Sequence, residues 1–142
     1  MAEIKISALP DGGDTEIGDT TVIVRAGVTL RGTFPGQLVS YTWNRSGNTA
    51  VGNKLMIGNL EDMLLAYDVE LIAASIIRSD TSASSLDILN NGVNIRTIAT
   101  SSTQVIDNFA GIACSASDVI SVINSGGSTV SNCGVTLTFR LT

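Results

Sequence analysis

The chain has 142 residues, 44% of them apolar and only 15% charged, with a formal net charge of −5. This length carries one domain with a real core, and the composition excludes both a disordered chain and a highly charged helical one. The eight Lys and Arg are scattered singly from Lys5 to Arg140, so no basic stripe exists to neutralise phosphates and direct nucleic-acid binding is not expected. The apolar tract around Leu71 to Ile77 is too short to span a bilayer and the N-terminus opens on polar residues, so the expectation is a soluble chain without signal peptide or membrane insertion.

In chain order, residues 4–18 are punctuated by Leu9, Pro10, Asp11, Gly12 and Gly13 and hold too few large apolar side chains to fold alone. They read as an arm that needs a partner surface. Residues 20–26 are rich in β-branched side chains, Gly27 breaks the run, and residues 28–34 alternate apolar with polar, which predicts a two-strand unit ended by Pro35 and Gly36. The domain plan is therefore an attachment arm with a β-hairpin over 1–34 and a body over 35–142.

The next run also has period two: Leu38, Ser40, Thr42 and Asn44 take one face, and Val39, Tyr41, Trp43 and Arg45 the other. Exposed, Tyr41 and Trp43 would stack on a sugar ring; buried, they would be ordinary core, which the area of a Trp side chain favours. Leu60, Met63 and Leu64 have helical spacing, predicting a turn or two of helix near 60–67. Beyond it, strands are expected over 69–78, 86–89, 93–99, 104–114, 119–124 and 135–141, separated by turn clusters.

Asn91-Gly92 between two apolar-alternating runs can take both positive-φ positions of a type I′ turn and predicts a hairpin. Ser125 to Ser128 reads as a second turn, followed by a strand in which Val135, Leu137, Phe139 and Leu141 face the core. Short strands at fairly regular spacing indicate an all-β fold, a β-sandwich of the jelly-roll kind with at most one short helix.

Chemistry-bearing patterns are sparse. The chain has no histidine, which removes Ser-His-Asp triads, Cys-His pairs and the usual general base near neutral pH. Cys114 and Cys133 stand 19 positions apart without a Cys-x-x-Cys pattern; they do not make a zinc site and read as two small buried hydrophobes. Glu61, Asp62, Asp68 and Glu70 lie close in sequence and would suit a carboxylate pair of a glycosidase, although solvated charges are the plainer reading. Asp11, Asp14, Glu16 and Asp19 offer oxygen ligands, but not at the spacing of an EF-hand calcium loop. Gly12-Gly13 and Gly126-Gly127 lack the Gly-Lys-Ser/Thr ending of a phosphate loop. No catalytic residue, metal or cofactor is expected.

Ile4-Lys5-Ile6-Ser7-Ala8-Leu9-Pro10, then Asp19 to Val24, then Gly27-Val28-Thr29-Leu30-Arg31, resembles the N-terminal attachment segment of tailed-phage fibre and appendage proteins. Ala8 stands where that family commonly has an acidic residue, and Ile23 where it commonly has proline. The match covers about the first 34 residues. The rest of the chain resembles, less specifically, the β-sandwich modules of phage fibres and capsid surfaces. The resemblance implies a structural protein of the virion, made in the host cytoplasm, with other tail or capsid subunits as partners and a homotrimer as the oligomer. It implies that Ile4, Ile6, Leu9, Pro10, Val22 and Val24 carry the arm's contacts. Physically, an extended arm with free backbone groups pairs readily with an exposed sheet edge. A head decoration or cement protein is the second reading, and a carbohydrate-binding module with Tyr41 and Trp43 as its platform is the third.

Overall fold

A computed structural model describes residues 20–25, 28–33 and 36–142, the first two segments by their backbone. Ten strands, and no helix among the described residues, follow in chain order: β1 Thr20–Arg25, β2 Val28–Thr33, β3 Leu38–Thr49, β4 Met63–Leu64, β5 Val69–Ile77, β6 Ser84–Asn90, β7 Val93–Thr100, β8 Gln104–Cys114, β9 Val119–Gly127 and β10 Val130–Leu141. The expected two-strand unit is present: β1 and β2 pair antiparallel from Thr20 opposite Thr33 to Arg25 opposite Val28. The arm proper, with Ile4, Ile6, Leu9 and Pro10 and the acidic residues from Asp11 to Asp19, lies outside the described residues, and Val22 and Val24 are placed on β1 by backbone alone.

The body is two four-stranded antiparallel sheets, in the orders β3-β10-β5-β8 and β4-β9-β6-β7. The chain alternates between sheets except at the β6-β7 hairpin, and this strand order is that of the eight-stranded jelly roll. Its inner faces meet as predicted by period-two patterning. Val135, Leu137 and Phe139 on β10 are fully buried, Leu141 at the strand's end is half-buried, and Leu71, Ile76, Leu86, Ile88, Ile120 and Val122 complete the centre.

The hairpin expected at Asn91-Gly92 is a two-residue loop between paired Asn90 and Val93, with φ of 51° and 80° at its central positions. Both values are positive, as a type I′ turn requires, so the twist of the turn matches that of the strands. The turn expected over residues 125–128 is shorter than its sequence suggests, because β9 runs on through Gly127 and only Ser128 and Thr129 cross between sheets. Gly126 and Gly127 pair with Ser85 and Ser84 of β6. A Cβ on Gly127 would lie 2.4 Å from the Ala83 carbonyl oxygen, so this glycine is needed for a close backbone approach.

The helical turn expected near 60–67 is absent, and the reason is tertiary. Residues 52–65 are recruited to the open side of β9: Gly52 N–H donates to Asn124 O, Leu55 N–H to Val122 O, and Met63 and Leu64 pair with Ile120 and Val119. Between these anchors the chain leaves the sheet, and Met56 exchanges two hydrogen bonds with Asn44 of β3, at 2.6 and 3.0 Å. Leu55 bound to one sheet and Met56 to the other close this side of the sandwich through the backbone.

Candidate functional site

A sandwich of two open sheets has four edge strands, and unpaired backbone groups on an edge are its most reactive recognition feature. Three of the four edges here are blunted by their own sequence. Strand β4 has two residues. On β7, Ile95 is an extra residue against β6, because Arg96 pairs with Ile88 and Asn94 with Leu89. On β8, residues 109–111 oppose Ile72 alone, because Asn108 pairs with Ala73 and Ile112 with Leu71. Both strands also turn a charge inward: Arg96 sits opposite buried Ile88 and Asp107 opposite buried Ala74. Bulges and inward charges are the usual guards against strand addition.

Strand β3 has no such guard over residues 38–44. Its register against β10 is unbroken from Leu38 opposite Arg140 to Asn44 opposite Gly134, and the stretch holds neither charge nor proline. Because Asn44 bonds outward to Met56, the period of the strand turns the N–H and C=O of Leu38, Ser40 and Thr42 outward as well. Among the described residues these groups have no backbone partner.

The inward side chains register the difference between the closed and open parts of this edge. Trp43, beside the Leu55-Met56 closure, is 0% exposed, and its indole N–H donates to Glu61 O at 3.3 Å. Tyr41, two residues along the same face, is 37% exposed, with its ring edge-on to Phe139 at 6.2 Å. Trp43 is therefore core and offers no stacking surface. Of the two aromatics considered for sugar recognition, Tyr41 alone reaches solvent. On the outer face beside this edge, hydroxyl pairs span the strands, Ser40 with Thr138 at 3.0 Å and Thr42 with Thr136 at 2.8 Å.

Of the four carboxylates weighed as a catalytic pair, Asp62, Asp68 and Glu70 have separate structural partners. Asp62 pairs with Lys54 at 2.8 Å, Asp68 accepts the Ala116 N–H at 2.8 Å, and Glu70 pairs with Arg140. Among the described residues, no group of three or more Cys, Asp or Glu comes together as a metal site.

Two charged centres that the sequence did not single out organise the ends of the sandwich. At one end Arg78, with a fully buried side chain, donates to Ser102 O, Ser82 O and Thr100 O, tying the loop after β5 to the loop after β7. Beside it, Ser82 Oγ and the Ser131 N–H donate to Asp80 and hold its carboxyl below its ordinary value. At the other end, Asp118 accepts from Asn90 Nδ2 at 2.8 Å, Ser115 N–H at 2.8 Å and Asn91 Nδ2 at 2.9 Å, which lowers its pKa in that order of influence.

Cys114 and Cys133 are free and buried. Burial pushes the Cys133 thiol up to about 11 and raises that of Cys114. Cys114 is level with Val69 and Leu141, roughly 25 Å along β10 from Cys133 at about 3.3 Å per residue, far beyond the reach of a disulfide.

No protein-family model matches the chain, and no curated protein matches it. Among solved structures, it is similar to a mutant VP2 protein of infectious bursal disease virus in T=1 particles, with 13% identity and a TM-score of 0.29. The similarity covers 94% of this chain, which spans 40% of that one. The assignment of the jelly roll rests on strand order and register, not on this likeness.

Proposed function

We propose that the chain is a structural component of a bacteriophage particle, a tail-appendage or fibre-type protein anchored through its N-terminal arm. The observation that carries this reading is the division of the chain. An N-terminal segment resembling phage attachment segments precedes a jelly-roll body whose carboxylates and cysteines serve packing and loop fixation. The partners in this reading are other virion subunits and further copies of the same chain, with a trimer as the family's usual oligomer. The protein acts by binding, without catalysis, cofactor, nucleic acid or membrane insertion.

A capsid decoration role is the second reading, supported by the single compact sandwich, since the jelly roll is a recurrent shell and surface architecture. Cryo-electron microscopy of the intact particle separates the two: density at the tail supports the appendage, and density over capsid symmetry axes supports the decoration protein. Absence of the chain from purified particles overturns both. Deleting residues 1–19 is expected to abolish incorporation while the sandwich stays folded, and full occupancy by the armless chain would remove the anchoring role.

A further inference from the structure

We propose that the open edge of β3, residues 38–42, is a strand-acceptor site, and that its occupant is the segment of residues 3–8 from a neighbouring copy of this chain. The proposal rests on the anchoring role given to the arm above and names the surface that receives it.

The acceptor is defined by what the other edges carry and this one lacks. Shortness protects β4, and a bulge with an inward charge protects β7 and β8. Residues 38–43 of β3, Leu-Val-Ser-Tyr-Thr-Trp, are uncharged, β-branched or aromatic at most positions, and regular in register. Such an edge left bare invites aggregation, so a native protein that keeps one has something to put there. The upper end of the edge already takes one added partner, since Met56 exchanges backbone hydrogen bonds with Asn44. Leu38, Ser40 and Thr42 continue that line, with the same groups unmet among the described residues.

The core also stops short at this edge. Where the Leu55-Met56 segment closes the sandwich, Trp43 is fully buried; where the edge is open, Tyr41 is 37% exposed and Val39 half-buried. A further strand beside residues 38–42 would cover both with the side chains of its inward face. It must therefore be apolar at alternate positions on one face and polar on the other, where Ser40, Thr42, Thr136 and Thr138 form a hydroxyl surface.

Residues 3–8 meet that specification: Ile4, Ile6 and Ala8 alternate with Glu3, Lys5 and Ser7. Nineteen residues precede β1, and residues 10–19, rich in glycine and acidic side chains, supply a connector to the hairpin. Backbone pairing would provide the affinity, and the two isoleucines over Tyr41 and Val39 the register. Strand exchange of this kind makes each copy both donor and acceptor, so it links copies in series or closes them into a ring according to the angle between neighbours.

The test uses the full chain, with amide hydrogen exchange at Leu38, Ser40 and Thr42 and sedimentation followed together across a dilution series. At concentrations where the chain associates, exchange at these amides is expected to slow about 100-fold relative to an unpaired edge, and protection and association should vanish together on dilution. The double variant Ile4→Asp, Ile6→Asp should lose both and keep the melting temperature of the diluted wild-type chain. Ser40→Pro removes an outward N–H without touching the β10 ladder and should dissociate the assembly in the same way; if it fails to fold, the arm variant carries the test.

Three results overturn the proposal: free exchange at these amides in the associated chain, protection that survives the double arm variant, and protection that persists in the monomer, which would mean that the arm folds back on its own body. The virion reading fails separately. A chain with a protected edge that never enters a particle would leave the acceptor site standing, whereas an unprotected edge in a chain that still requires its arm for incorporation would remove the site alone.

Discussion

Arg96 and Asp107 fasten the two sheets together on the side of β7 and β8, the edge strands that residues 101–103 join. The guanidinium of Arg96, on β7, donates from Nε and Nη2 to both carboxylate oxygens of Asp107, on β8, at 2.7 to 2.9 Å, and its centre lies 4.6 Å from the ring centroid of Phe109. The opposite side is closed by Leu55 and Met56 through main-chain hydrogen bonds. One seam is thus held along the strands by main-chain hydrogen bonds, and the other, beyond the connection of residues 101–103, by an ion pair over an aromatic ring, so the β7-β8 side is the one that responds to screening or removal of charge.

A double-mutant cycle tests that seam. The side chains are 37% and 24% exposed, so solvent screening limits the pair, but fork geometry and ring stacking place it at the upper end for surface pairs, with a coupling of about 1 kcal/mol between Arg96→Ala and Asp107→Ala in low salt. Chemical denaturation should show the coupling shrinking as ionic strength rises. Strict additivity of the two substitutions in low salt would mean that the seam is held by Phe109 and its neighbours alone.

Phe139→Ala should destabilise the sandwich by about 3–5 kcal/mol, the usual cost of truncating a core aromatic. Phe139 is fully buried near the end of β10, between β3 and β5, and supports the ring of Tyr41. Thr138→Ala, one residue away on the outer face, loses only the hydroxyl contact with Ser40 and should cost under about 1 kcal/mol. Equal effects in a urea titration would mean that the two faces of β10 are not divided between core and surface.

These faces were legible in the sequence because period-two alternation is local: Val135, Leu137 and Phe139 announce themselves without knowledge of their neighbours. So does the Asn91-Gly92 turn, whose chemistry is contained in two residues. The segment 52–65 was not legible, because its helical spacing at Leu60, Met63 and Leu64 is a weak local preference, overridden by pairing with β9, which lies far along the chain. The acceptor edge was illegible for the same reason. Residues 38–44 read correctly as a strand with Tyr41 and Trp43 on one face, but which strand ends a sheet is a property of topology. Trp43 and Tyr41 look alike in sequence and part company only because Met56 closes the edge at one and not at the other. Arg78 ended a predicted strand with no pattern to mark it as the buried anchor of two loops.

Gly127 should lose stability on gaining a side chain, and Ser117 should gain stability on losing one. Gly127 has φ +81° and no room for a Cβ beside Ala83, so Gly127→Ala should cost about 3 kcal/mol through strain and overlap. Ser117 is exposed with φ 74°, a conformation that penalises L side chains, so Ser117→Gly should gain about 0.5–1 kcal/mol after the added freedom of the unfolded chain is subtracted. Thermal melts of the two variants check both signs, and a stabilising Gly127→Ala would contradict the close approach of β9 to the Ala83-Ser84 backbone.

Asp118 should set part of the acid limb of stability. Donors from Asn90, Ser115 and Asn91 favour its charged form in the folded chain and lower its pKa below the ordinary 3.8. The folded state therefore binds a proton less readily than the unfolded state, so the contribution is fully present above that ordinary value and is lost as pH falls through the lowered one. Asp118→Asn replaces an acceptor-only carboxylate with an amide that turns an N–H₂ toward these donors. The variant is expected to melt lower than the parent chain at pH 7, with the gap narrowing toward pH 2 as the parent's carboxyl protonates. Melting temperatures measured across that range decide the matter: a gap of constant size would mean that Asp118 fixes the Asn91 turn to the Ser115 loop by shape, without a contribution from its charge.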